Sequence, residues 1–211
     1  MSLHPFPYQL YLVISEADCI GRSFLTVAEK AILGGVDIIQ LREKNCSNSE
    51  FIKKASQLIE ITDKYNIPLI INDNIEVTKN INVAGIHVGN NDAKPTYLRQ
   101  QPFLQNKIIG YSIEYLSQLE NEQITESDYL GISPVFRTNT KSDTVTEWGL
   151  DGITKIRQLT EKPLVAIGNI HLTNVKDIIN AGADCIAVVS AICSADDPQK
   201  AAYELKNEIL K

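Results

Sequence analysis

Three side chains able to grip an anion alternate along Gln40-Leu41-Arg42-Glu43-Lys44. In an extended chain every second residue shares a side, so Gln40, Arg42 and Lys44 would converge as one amide donor and two cations. Two cations held that close are best accounted for by a phosphate between them. A solvated loop, with Glu43 neutralising a neighbour, is the competing expectation. Two carboxylates follow, one in Asn72-Asp73 and one in Asn91-Asp92. Hard oxygen ligands suit Mg2+, which keeps several waters and bridges carboxylates to a diphosphate. Asp73 and Asp92 also precede segments with helical character, where either could cap a helix instead.

Further along, Thr138, Asn139, Thr140 and Lys141 supply two hydroxyls and a mobile cation, a set suited to phosphate or to an ordinary surface loop. Gly168, in Ala166-Ile167-Gly168-Asn169, permits close backbone approach to an anion. Ser190, just after Val189, offers a hydroxyl donor or a cap for a short helix. His87 reads as a packed, hydrogen-bonded strand residue, and His4 and His171 belong to no constellation. Cys19, Cys46, Cys185 and Cys193 lack paired or CxxC spacing, so reduced, mostly structural thiols are expected.

The elements that must position these groups are short apolar runs at 9–14, 38–42, 69–72, 85–88, 107–112, 129–132, 164–167 and 185–189. Their near-continuous apolarity predicts parallel strands buried on both faces. Between them lie amphipathic segments. The clearest is 49–65, where Phe51, Ile52, Ala55, Leu58, Ile59 and Thr62 recur at steps of three and four. Segments 150–159 and 198–210 share that period, Pro198 suits a first helical turn, and Gly34-Gly35 and Ala181-Gly182 read as helix stops. Strand–helix alternation implies a parallel α/β sheet. Eight such units in 211 residues, with no linker, favour one (β/α)8 TIM barrel over 1–211, with an open doubly wound sheet as the alternative. In such barrels the chemistry sits at the C-terminal strand ends. The residues above fall there.

Composition narrows the partners. Hydrophobic residues make up 44% and charged residues 22%, ordinary for a globular domain. A net charge of −6 argues against nucleic-acid and anionic-membrane binding, though it permits an anionic small molecule where cations are concentrated. Residues 1–12 show no leader pattern and no apolar run could span a bilayer, so a cytoplasmic location is expected. A homo-oligomer is left open.

Taken in order, Gln40-Leu41-Arg42-Glu43-Lys44, Ile71-Asn72-Asp73, Gly85-Ile86-His87-Val88-Gly89 with Asp92, Thr138-Asn139-Thr140-Lys141 and Ala187-Val188-Val189-Ser190-Ala191 resemble the thiamine phosphate synthase family over almost the whole chain. The resemblance implies a transferase of thiamine biosynthesis that joins an aminopyrimidine diphosphate to a thiazole phosphate and releases pyrophosphate. Gln40, Arg42, Lys44, Asn72, Ser112 and Lys141 would bind the pyrimidine diphosphate, with Arg42, Lys44, Lys141 and Ser112 serving catalysis. Asp73 and Asp92 would hold Mg2+. Thr138, Asn139, Thr140, Gly168, Asn169, Val189 and Ser190 would form the thiazole phosphate pocket. Two positions depart from the family pattern: Asn169 replaces the second of a Gly-Gly pair, and Glu114 replaces the histidine of Ser-x-His. Asn tolerates left-handed backbone well, so the phosphate loop is expected to survive. A thiazole tautomerase-like barrel, or a non-catalytic thiazole-phosphate sensor, remains the alternative. The polar loop 136–146 is expected to close over the substrates.

Overall fold

Strands β1 (Leu10–Ile14), β2 (Ile38–Leu41), β3 (Leu69–Asn72) and β4 (Gly85–Val88) pair in chain order with β5 (Ile108–Ile113), β6 (Tyr129–Ile132), β7 (Leu164–Ile167) and β8 (Cys185–Val188). Every pairing is parallel, and β8 returns to β1 through Leu10↔Ile186 and Leu12↔Val188, closing a barrel. The open-sheet alternative is thereby excluded. This computed structural model describes residues 6–137 and 146–211.

The period of two sorts the strand residues into two cores. Leu10, Leu12 and Ile14 face outward and pack with helix residues such as Phe51, Ala55 and Leu58. Tyr11 and Val13, between them, face inward and meet Ile38, Ile70, Tyr129, Val165 and Cys185 inside the barrel. Because both faces are covered, the strands show no polar face until they approach their C-terminal ends.

The outer layer is local in origin. Helix α1 (Phe24–Leu33) starts on the Ser23 cap and ends at Gly34, and Gly35 follows with φ 103°. Helix α2 (Asn48–Lys64) is fixed by a Ser47–Glu50 capping box and buries Phe51, Ala55, Leu58 and Thr62 along one stripe. Short helices α3 (Ile75–Asn80), α4 (Pro95–Arg99) and α5 (Glu122–Glu126) follow. Then come α6 (Gly149–Leu159), α7 (Val175–Asn180), α8 (Ser190–Cys193) and α9 (Pro198–Ile209). Asp197 caps α9, and Pro198 occupies its first turn. No helix among the described residues is long and apolar enough to cross a membrane.

The N-terminal ends of the strands carry a repeated clamp. Asp37, Asp128 and Asp184 each stand just before a strand and accept an N–H from the first or second residue of a neighbouring one, at Leu10 (2.8 Å), Ile109 (2.8 Å) and Leu164 (2.8 Å) respectively. Each carboxylate is also paired with a cation, Lys206, Arg99 or Arg157. These three carboxylates are therefore both paired with cations and engaged in holding strands in register. The opposite end differs.

Candidate active site

A cavity of about 370 Å³ opens at the C-terminal ends of the strands. Alternation from Ile38 puts Gln40 inside the barrel, and the chain then leaves β2, carrying Arg42 and Lys44 to the rim. Gln40 is buried and donates through Nε2 to the Tyr11 hydroxyl at 3.0 Å. Glu43 neutralises neither flanking cation. It turns outward to accept the Glu16 N–H (2.8 Å) and to pair with Lys54 (2.9 Å). Arg42 makes no ion pair among the described residues, and Lys44 pairs with Asp73 instead. One cation is thus left facing the cavity, so the neutralised-loop expectation does not hold.

From β3, Asn72 and Asp73 reach the cavity together, and Asn72 Nδ2 donates to Asp73 Oδ2 at 2.6 Å. Asp73 has φ 51°, a left-handed conformation that costs a non-glycine residue and marks a position fixed by its surroundings. From the loop after β4, Asp92 accepts the Gly89 N–H at 2.7 Å and also lines the cavity. Neither carboxylate caps a helix. Asn74 caps α3, accepting the Val77 N–H at 2.9 Å, and Lys94 occupies the cap position of α4. The capping alternatives for Asp73 and Asp92 are therefore overturned.

Two carboxylates facing one cavity fit Mg2+, which commonly takes one or two from the protein and fills its remaining positions with water and substrate oxygens. No group of three His, Cys, Asp or Glu able to hold a metal occurs among the described residues. The site therefore suits a metal shared with an anionic ligand rather than an all-protein cage.

Ser112 projects inward from β5 and its Oγ lies 2.8 Å from His87 Nε2. From β7, Gly168 (φ 119°) and Asn169 (φ 50°) turn the chain through two left-handed residues on the cavity wall. Asn in place of Gly thus keeps the turn the sequence called for. Asn169→Gly should accordingly change the unfolding free energy in a urea melt by less than about 1 kcal/mol, while Asn169→Val should cost about 1–2 kcal/mol. Equal midpoints for the two variants would show that the turn tolerates a branched side chain and is not held by its φ. After β8, Val189 and Ser190 complete the wall. Val189 holds the cap position of α8 with Ser190 as the first helical residue, so Ser190 is not the cap.

Every predicted site residue in the described chain therefore lines one cavity. Thr138, Asn139, Thr140 and Lys141 lie outside the described residues, as does most of the loop 136–146. His171, given no constellation from sequence, stands at the same rim, its Nδ1 2.9 Å from Thr173 Oγ1. Glu114 also lines the cavity, 3.5 Å from Asn90 Nδ2. Sequence reasoning passed over Tyr11 and Tyr129, which form the inner wall with their hydroxyls 3.0 Å apart. The available signal was the strand period: Tyr129 shares the inward face with Gly131 and Ser133, just below the mouth. All four cysteines are free, and Cys19, Cys185 and Cys193 are buried.

The thiamine monophosphate synthase family profile matches residues 10–192. A thiamine-phosphate synthase of Albidiferax ferrireducens is 41% identical over 202 residues, covering 95% of this chain and 91% of that protein. One from Chloroflexus aurantiacus is 40% identical, with 96% and 93% covered. Among solved structures, the thiamine phosphate pyrophosphorylase of Pyrococcus furiosus superposes with a TM-score of 0.86 at 28% identity, covering 97% of this chain and 96% of that one. A 3-hexulose-6-phosphate synthase, at 16% identity and a TM-score of 0.68, shares the fold alone. Barrel, cavity and relatives agree over nearly the full length, and the chain belongs to the thiamine monophosphate synthase family.

Proposed function

We propose that this chain is a Mg2+-dependent transferase acting as one catalytic domain over 1–211. It would join 4-amino-2-methyl-5-(diphosphooxymethyl)pyrimidine to hydroxyethylthiazole phosphate, giving thiamine phosphate and pyrophosphate. The observation that carries this is the convergence of Arg42, Lys44, Asp73 and Asp92 on one cavity that Gly168 and Ser190 also line.

The chemistry asks little of a nucleophile or a general base. The C–O bond to the diphosphate breaks first, with both electrons leaving on pyrophosphate, and the electron-rich aminopyrimidine carries the resulting methylene cation. The thiazole nitrogen then supplies the pair that forms the new C–N bond. Catalysis of this kind is mostly charge placement and orientation. Arg42, which lines the cavity, would meet the departing oxygens, and Lys44 would exchange Asp73 for a phosphate oxygen when the substrate enters. Lys141 is the third cation assigned to the leaving group. Asp73 and Asp92 would hold Mg2+, which would supply further neutralising charge. Asn72, Gln40 and Ser112 orient the pyrimidine. Thr138, Asn139, Thr140, Gly168, Asn169, Val189 and Ser190 receive the thiazole phosphate. A cytoplasmic location and small-molecule partners belong to the same proposal.

The test is direct. Purified protein with both substrates and Mg2+ should give thiamine phosphate and an equal amount of pyrophosphate, detected by mass spectrometry, and EDTA should abolish both. Folded protein that binds the thiazole phosphate without forming product would instead indicate a tautomerase or a sensor.

A further inference from the structure

A chain of hydrogen bonds crosses the interior of the barrel beneath the cavity. Gln40 Nε2 donates to Tyr11 Oη (3.0 Å), which lies 3.0 Å from Tyr129 Oη. Tyr129 Oη is 2.9 Å from His87 Nδ1, and His87 Nε2 is 2.8 Å from Ser112 Oγ. The links come from β2, β1, β6, β4 and β5, so five strands feed one line of contacts. The backbone is hollowed to admit it. A Cβ at Gly110 would lie 2.2 Å from Tyr129 Cζ and 2.4 Å from His87 Nδ1, and one at Gly131 would lie 3.2 Å from Ser112 Oγ.

The polarity of this chain follows from counting protons. A side-chain amide nitrogen only donates, so Tyr11 Oη accepts from Gln40. Tyr11 and Tyr129 are fully buried, and burial holds both phenols well above their ordinary pKa, so each keeps one proton. Were Tyr129 to donate to Tyr11, the buried Tyr11 hydroxyl would have no acceptor for its proton among the described residues, a costly arrangement. Tyr11 therefore donates to Tyr129, and Tyr129 donates to His87 Nδ1. The imidazole then carries its proton on Nε2 and gives it to Ser112 Oγ. Ser112's own proton is left pointing away from His87, toward the cavity.

We propose that Tyr11 and Tyr129 are positioning residues that fix the Nε2–H tautomer of His87 and thereby make Ser112 a hydrogen-bond donor to an acceptor atom of the pyrimidine diphosphate. The substrate assignment rests on the function proposed above; the tautomer does not. With Nδ1 accepting and Nε2–H donating, the relay sets orientation without transferring a proton.

Histidine-labelled protein distinguishes the two. In long-range 1H–15N spectra of the substrate-free protein, with His87 assigned by the signal missing from His87→Gln, the Nε2–H form should dominate. Tyr129→Phe keeps the ring and removes only the hydroxyl, and it should release the imidazole into a mixture of tautomers. The same variant should raise KM for the pyrimidine diphosphate about five- to tenfold, the scale of one neutral hydrogen bond, with the thiazole phosphate KM within about twofold. Tyr11→Phe should do the same more weakly. In a Ser112→Ala background, Tyr129→Phe should add less than about twofold, because the two act through one contact. An Nδ1–H imidazole in the unsubstituted protein, or an unchanged tautomer in Tyr129→Phe, would overturn the relay even if thiamine phosphate is made. A fixed Nε2–H tautomer that Tyr129→Phe disrupts, in a protein that makes no thiamine phosphate, would uphold the relay and remove only the substrate.

Discussion

Asp92→Asn is expected to lower kcat about a hundredfold at saturating Mg2+ and to raise the Mg2+ concentration for half-maximal activity at least about tenfold. The choice of asparagine matters. Asp92 accepts the Gly89 N–H at 2.7 Å, so removing the side chain would leave a backbone donor unpaired and loosen the loop after β4. The amide oxygen of asparagine can keep that bond while the charge is lost. A structural role for Asp92 would then show as little change, whereas a metal role would show in full. Asp92→Ala should add about 1–3 kcal/mol of destabilisation to the same kinetic loss. Titrating Mg2+ against initial rate for both variants settles it: activity retained at limiting Mg2+ in Asp92→Asn would withdraw the metal assignment. Asp73 is less clean a probe, because its carboxylate also engages Asn72 and Lys44.

Gly168→Ala should be the most damaging single methyl group in the mouth. At φ 119° any L side chain is strained, and the new Cβ would stand 2.6 Å from Pro134 Cβ and 2.8 Å from Pro134 Cα. Relief requires separating the loops after β6 and β7, which are joined where Val135 N–H donates to Ile167 O (2.8 Å) and Phe136 N–H to Gly168 O (3.2 Å). Strain and lost contacts together should cost about 2–4 kcal/mol in a urea melt. Because Gly168 stands on the proposed thiazole phosphate side, KM for that substrate should rise about tenfold or more while KM for the pyrimidine diphosphate changes far less. A destabilised variant with both KM values intact would place the phosphate elsewhere on the rim.

These two positions also show how differently sequence and structure contribute. The strand segments were legible because buried parallel strands are short apolar runs, and the observed bounds match the expected ones or differ by one residue, as at Arg42, which leaves β2. The long helices were legible from the three-and-four spacing of residues such as Phe51, Ala55 and Leu58 and from local caps. The short helices α3, α4, α5 and α8 hold too few residues to show a period. Cavity-lining residues such as Arg42, Asp73 and Gly168 were legible as sharing one mouth because parallel strands bring their C-terminal ends to one face.

What the sequence by itself determined, then, is what has a local cause: the strand–helix alternation, which residues of an extended run share a side, and the polar groups at the strand ends. Tertiary structure alone decided who meets whom. That Glu43 would turn to Lys54 and leave Lys44 to Asp73 depends on packing between separate units of the barrel. The hydroxyls of Tyr11 and Tyr129 touch although 118 positions separate them. The physical reason is that periodicity sets the direction in which a side chain points. Closure of the eight strands, through pairings such as Leu10 with Ile186, sets what it points at.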